Sequence, residues 1–411
     1  MKRNYKNLTV IFFLGIASGM PLALILSSLK AFLLDRGFDL TTIGFFSLAT
    51  LPYSLKIFFA PFIDSKSLPF FSKIFGQRKS WMILMQILLA VFIAFFSIES
   101  IANNLTLIAI LAFLIGLFSA SQDVVIDAYR IELIKKEDQG LAAGFGVYGY
   151  RIGLLISGAF ALALAEKFGW NATYYILALL MLFCAIFTFF IEETRKDFIS
   201  KNENFAQWFK HAIIAPLKDL TRHNSWFAIL LFIVFFKLGD AFAGNLTLPF
   251  LLQIGFSKIE IATIVKTFGL VATLIGTLFG GILVKKINLT KTLWIAGAMQ
   301  MFSNLAFAFQ AKIGYDPSLL YFTIFIENFS GGMGDAAFVA YLSVLCNLSF
   351  SATQYAILSS LASFARSFLS SSAGIFAQKI GWYYFFIFST FLAIPGMIFL
   401  LYLTMKNKSS P

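Results

Sequence analysis

Residues 118–129 read FSASQDVVIDAY, and residues 329–341 read FSGGMGDAAFVAY. One inserted residue aligns the two segments and brings Asp123 onto Asp335 and Tyr129 onto Tyr341. Further along, AEKFGW (165–170) meets AQKIGW (377–382) at the same offset of 212 residues. A 411-residue chain that repeats itself in this way is built from two related halves.

Composition says what the halves are made of. Hydrophobic residues make up 59% of the chain, and 52 positions are phenylalanine. Charged residues make up 13%, about half the share usual for a soluble domain. A soluble fold of this length has no means of hiding so much apolar surface, so the surrounding solvent is lipid. This excludes a soluble enzyme, a disordered regulator and a secreted disulfide scaffold. The net charge of +12 is read as the excess of Lys and Arg on cytoplasmic loops of membrane proteins, not as a nucleic-acid footprint. Cys184 and Cys346 lie in or beside apolar runs, and His211 and His223 share one polar stretch. No metal-ligand spacing, phosphate loop or nucleophile–base constellation is present, so no metal, no cofactor and no enzymatic activity is expected.

A bilayer core of about 30 Å takes about 20 apolar residues as a helix. Twelve such runs are legible: 8–33, 41–61, 81–99, 105–127, 141–165 and 171–191 in the first half, then 224–250, 259–284, 292–311, 318–345, 354–377 and 382–404. None alternates with period two, which argues against a β-barrel. The first run follows Lys2, Arg3 and Lys6, as in a signal peptide, but it is too long and lacks a clear small-x-small site, so it reads as a retained transmembrane helix. The organisation is therefore an N-terminal six-helix bundle (1–191), a cytoplasmic linker (192–223) with an amphipathic segment around Phe205–Leu220, and a C-terminal six-helix bundle (224–411). Two pseudo-symmetric six-helix bundles are the signature of the major facilitator fold, an all-α integral membrane architecture with its solute near the midplane. A channel or a scaffold would not need two related halves.

Orientation follows from Lys and Arg. With the N-terminus inside, the opposite side holds only Lys30, Arg36, Lys167, Lys258, Lys312 and Lys379 of the 32 basic residues. Both termini are expected in the cytoplasm.

Charge at membrane depth costs several kcal/mol unless it is paired or wetted, so each such residue is a functional candidate. Arg151 and Arg366 lie near mid-depth in the fifth and eleventh helices, with guanidinium groups suited to carboxylates; a structural pairing is the alternative for both. Lys237 and Asp240, three apart, read as neighbours on one face of the seventh helix. Asp123, Asp127 and Arg130 form one stripe toward the cytoplasmic end of the fourth, either a gate or a proton site. Glu327 lies near the midplane of the tenth helix and Asp335 nearer the cytoplasm. With no histidine in any helix, proton coupling would need a carboxylate, and Asp123, Asp240 and Glu327 are the candidates. Lys56 and Lys266 read as snorkelling residues or as part of a site, and Tyr53, Tyr148 and Tyr150 offer rings for a sugar.

These motifs resemble one family, the AmpG muropeptide permeases. The resemblance rests on PYSLK (52–56), SQDVVIDAYR (121–130), GYRIGLLISGA (149–159), KLGDAF (237–242) and ENFSGGMGDAAFVAYLSVLCNLSFSATQYAILSSL (327–361), which are spread over nearly the whole chain. It implies proton-driven import, across the bacterial inner membrane, of N-acetylglucosaminyl-anhydro-N-acetylmuramyl sugars with or without peptides. Such import feeds peptidoglycan recycling and can signal β-lactamase induction. The implied partners are an anionic muropeptide, protons and the bilayer, with the protein working as a monomer and binding no nucleic acid. Arg151, Lys237, Arg366, Gln122, Tyr150, Gln300 and Asn304 would then meet the solute, and Asp64, Asp127, Arg130 and Asp335 would serve as gates. The chain departs from the family where Pro-x-x-Asp-Arg is usual: it has Pro61, Phe62, Ile63, Asp64 and Ser65. Asp335 stands where a small uncharged residue is expected. A transporter of another anionic solute such as acetyl-CoA, or a non-transporting membrane sensor, are the alternative readings.

Overall fold

The computed structural model describes residues 2–38, 42–43, 46–99, 104–194, 204–222 and 225–409, and among them there is no strand. The helices are α1 (Tyr5–Asp35), α2 (residues 46–65), α3 (Gln77–Phe95), α4 (Leu105–Leu133), α5 (residues 139–168) and α6 (residues 170–190). After the linker come α7 (Trp226–Gln253), α8 (Ile259–Ile287), α9 (Leu289–Ile313), α10 (Pro317–Leu345), α11 (residues 351–380) and α12 (residues 382–409).

Eight helical stretches among the described residues are long and apolar enough to cross a bilayer, or nine with the bent pair Pro317–Leu345 and Leu348–Ser370. The twelve segments of the sequence are not lost in this lower number. The stretch Lys136–Phe190 has 55 residues, about 80 Å of helix, which is far too long for one crossing. It turns at Gly169, whose φ of 79° is left-handed and which therefore separates α5 from α6. Gly381 does the same between α11 and α12 with φ 75°, at the offset of 212 read from the sequence. In α2 the helix is divided into short pieces around Pro52 and Leu55.

The chain groups into two compact units. The first holds residues 1–136, 145–218 and 346–360; the second holds 137–144, 219–345 and 361–411. Each has its own apolar core, and the two cores repeat one another. In the first unit Phe32, Phe96, Trp170 and Tyr174 pack together, with Trp170 stacked on Tyr174 and Phe32 perpendicular to it. In the second, Phe250, Phe307, Trp382 and Phe386 do so, with Trp382 stacked on Phe386. Trp170 Nε1 donates to Asp35 at 2.8 Å, and Trp382 Nε1 donates to Gln253 at 2.8 Å. Many other rings, such as Phe58 and Phe190, are exposed along helix flanks, where lipid would meet them.

Small residues let helices approach closely. In the first unit, Gly15 and Gly19 of α1 lie against the backbone of Gly146, Gly149 and Tyr150 of α5. In the second, Gly276 and Gly280 of α8 lie against the backbone of Phe329 and Met333 of α10. In the linker, residues 195–203 and 223 lie outside the described residues. The expected amphipathic segment is helical over residues 205–221. It is tied to the first unit by Trp208 Nε1, which donates to Ser65 at 2.7 Å, and by Pro216 O, which accepts from Gln354 at 3.1 Å.

Candidate functional site

In the second unit α7 is not continuous. Helical geometry lapses at Lys237 (φ −110°, ψ 13°) and again at Leu246 (φ −115°, ψ 4°), leaving the seven-residue piece Leu238–Gly244 between. Broken backbone at membrane depth is tolerated where it lines a cavity. One of about 600 Å³ does lie here, walled by Lys237, Asp240 and Asn245 from α7 and by Arg366, Ser370 and Ser371 from the α11 side. Asn245 donates to Ser370 Oγ at 2.8 Å and so holds the second break against α11.

Because the helix breaks at Lys237, the expected i, i+3 pairing with Asp240 does not form. Lys237 instead makes an ion pair with Asp335 of α10 and is buried. Asp335, expected as a gate, is thus the counter-ion of the broken helix. Asp240 is half-buried on the cavity wall, with Lys237, Asp335 and Arg366 within electrostatic range. Glu327 is half-buried, accepts from Asn328 Nδ2 at 2.8 Å, and has Lys266 and Asp240 within electrostatic range. Gln300 and Asn304, expected to meet the solute, are buried in helix contacts beside Gly334 and Gly239 and are not on the cavity wall.

The first unit surrounds its own aspartate differently. Asp123 accepts from Ser18 Oγ, and Lys56 and Asp127 lie within electrostatic range of it. Tyr53, whose hydroxyl donates to Ser119 at 2.7 Å, and Tyr150 lie within electrostatic range of it. Gln122 is buried and donates to Ala17 O at 2.8 Å, which fixes α4 to α1. Arg151 is half-buried on α5, next to Tyr150.

Where α2 ends and α3 begins, the first unit holds a buried charged cluster. Arg78 is fully buried and bonds Asp64 at 2.6 Å and Glu132 at 2.7 Å. Ser351 Oγ donates to Glu132 at 2.6 Å, and Thr353 N donates to Asp64 at 2.8 Å, so the start of α11 is held by the same carboxylates. Close by in the chain, Arg130 pairs with Asp127 at 3.2 Å and lies over the Tyr355 ring at 5.4 Å. The expectation that Asp64, Asp127 and Arg130 act together thus meets a set of bonds that converges on 351–355. Arg78 and Glu132 were missed by sequence reasoning, because both fall just outside the apolar runs and were counted as loop charges. The missing arginine after Asp64 was the available signal: an aspartate without its usual partner needs another, and Arg78 is the next one along the chain.

The Major Facilitator Superfamily model matches residues 11–311. The anhydromuropeptide permease of Escherichia coli K12 is 41% identical over 394 residues, covering 95% of this chain and 78% of that protein. The chain belongs to the AmpG muropeptide-permease family of the Major Facilitator Superfamily. A second family member, putative transporter AmpG 4 of Rickettsia felis, is 40% identical and covers 96% of both chains. Solved facilitators share the fold at low identity. FucP in its outward conformation gives a TM-score of 0.70 at 15% identity, covering 98% of this chain and 99% of its own, and the proton:xylose symporter XylE gives 0.68 at 14%, covering 99% and 96%. The AmpG-family chain is therefore a multi-pass membrane transporter and not an enzyme.

Proposed function

We propose that this protein imports peptidoglycan degradation products, anhydro-muropeptides, across the bacterial inner membrane by proton-coupled alternating access. The observation that carries the reading is the broken α7 with its cavity of opposed charges, in a chain 41% identical to an anhydromuropeptide permease. A muropeptide offers carboxylates and amides, and Arg366, Asn245, Ser370 and Ser371 offer the matching donors. Arg151 in the first unit is the second candidate clamp, with Tyr150 beside it.

The proton is carried by Asp123 or Glu327. Each accepts a hydrogen bond from a neutral side chain and has no ion-pair partner among the described residues, so taking up a proton orphans no buried cation there. Asp240 differs, since it opens on the cavity beside Arg366. The Asp64–Arg78–Glu132 cluster with Ser351 and Thr353 is the cytoplasmic gate. The bundles of 1–191 and 224–411 are the two moving bodies, both termini are cytoplasmic, and the working unit is the monomer.

The test is uptake of labelled anhydro-muropeptide by bacterial cells lacking their own permease, with and without a protonophore. Uptake that the protonophore abolishes is expected. No uptake despite membrane expression would overturn the assignment of solute, and uptake indifferent to the protonophore would overturn proton coupling.

A further inference from the structure

The cavity of the second unit carries both signs of charge, and they are not spent on one another. Lys237 is committed to Asp335. Among the described residues Arg366 makes one hydrogen bond, to Ser363 Oγ at 3.3 Å, and no ion pair joins it to Asp240 although both line the same cavity. Asp240 accepts no hydrogen bond among the described residues, and its electrostatic neighbours are Lys237, Asp335, Arg366 and Glu327. Had these two charges served only to neutralise the helices, closing into a bidentate pair would lower the cost of holding them at membrane depth. They line one cavity of about 600 Å³ without pairing, and that volume is typical of small-ligand sites.

A purely anionic ligand in this space would satisfy Arg366 and be repelled by Asp240. A purely cationic one would meet the reverse. A ligand with a carboxylate and an ammonium on one end satisfies both, and Asn245, Ser370 and Ser371 supply neutral hydrogen-bonding groups around it. We infer that this cavity holds a zwitterion of the amino-acid type, its carboxylate on Arg366 and its ammonium on Asp240. The inference deepens the muropeptide reading and rests on it in one respect: the zwitterion is the free end of the peptide portion, so this unit reads peptide and not sugar. A stem peptide ending in a diamino acid presents such an end.

The experiment measures binding to the full chain in lipid nanodiscs. The probes are an anhydro-disaccharide carrying a peptide that ends in a diamino acid, the same compound N-acetylated on its free amine, and the peptide-free disaccharide. Acetylation is expected to weaken binding at least tenfold, and the peptide-free sugar to bind more weakly still than the intact probe. Asp240→Asn should erase the difference between intact and acetylated probes. The comparison on the unmodified protein needs no variant to fold. Equal binding of intact and acetylated probes would overturn the zwitterion site and leave the muropeptide reading standing. Binding of none of the three would overturn both.

Discussion

Asp123 and Asp335 occupy equivalent positions in the two halves of the chain, yet they keep different company. Asp335 is locked to Lys237, a cation that sits at the break in α7. Asp123 accepts from the Ser18 hydroxyl, and Lys56, within electrostatic range, makes no ion pair with it among the described residues. The repeat thus conserves a carboxylate while changing what it can do. An ion-paired aspartate cannot take a proton without stranding a buried ammonium, whereas one held by a hydroxyl can. The ends of the units differ in the same sense. The first holds Arg78 and its two carboxylates. Counting from Gly76 and Asn288, which both begin their helices with positive φ, the second has Thr290 at the position of Arg78.

The largest effect expected from breaking this comparison is at Arg78. Arg78→Ala leaves Asp64 and Glu132 buried without their cation and should cost about 3–5 kcal/mol. Thermal unfolding in detergent should show a strong loss, whereas Thr290→Ala, its counterpart, should unfold almost as the parent does. Next comes Asp335→Ala, which strands Lys237 in the same way and should abolish uptake and lower membrane abundance. Adding Lys237→Ala should restore abundance but not uptake, and a double variant no more abundant than the single would contradict the pairing. Arg151→Ala should abolish uptake with membrane abundance intact; normal uptake would remove Arg151 from the solute site.

The smallest effects sharpen the comparison at the aromatic clusters. Trp382→Phe loses a hydrogen bond to a neutral amide, about 1 kcal/mol, and Trp170→Phe loses one to a carboxylate, about 1.5–3 kcal/mol. Unfolding midpoints should therefore fall more for Trp170→Phe. The reverse order would show that the two clusters are not held in the same way.

The architecture was legible because lipid imposes it. Runs of about 20 apolar residues, and an offset of 212 residues marked by Gly169 and Gly381, gave segments and symmetry without any contact being known. Which intramembrane residues were charged was equally plain. Who pairs with whom was not. Helix spacing put Lys237 beside Asp240, and a break that no proline or glycine at 235–237 announces turned it toward Asp335 instead. Gln300 and Asn304 were expected at the solute from the resemblance, which does not say which face a residue presents, and both are buried beside glycines, away from the cavity wall. Arg78 and Glu132 were invisible because their buried cluster lies at the boundary between apolar run and loop, where charge is ordinary.

In the proposed mechanism the halves divide their labour, with a carboxylate bonded to a neutral donor carrying the proton and an ion-paired one fixing the broken helix. Proteoliposomes test it most directly, by comparing counterflow with pH-gradient-driven uptake of labelled anhydro-muropeptide for Asp123→Asn, Glu327→Gln and Asp335→Asn. Asp123→Asn or Glu327→Gln should keep counterflow and lose the gradient drive, while Asp335→Asn should lose both. Gradient-driven uptake surviving in both Asp123→Asn and Glu327→Gln, or counterflow surviving in Asp335→Asn, would contradict it.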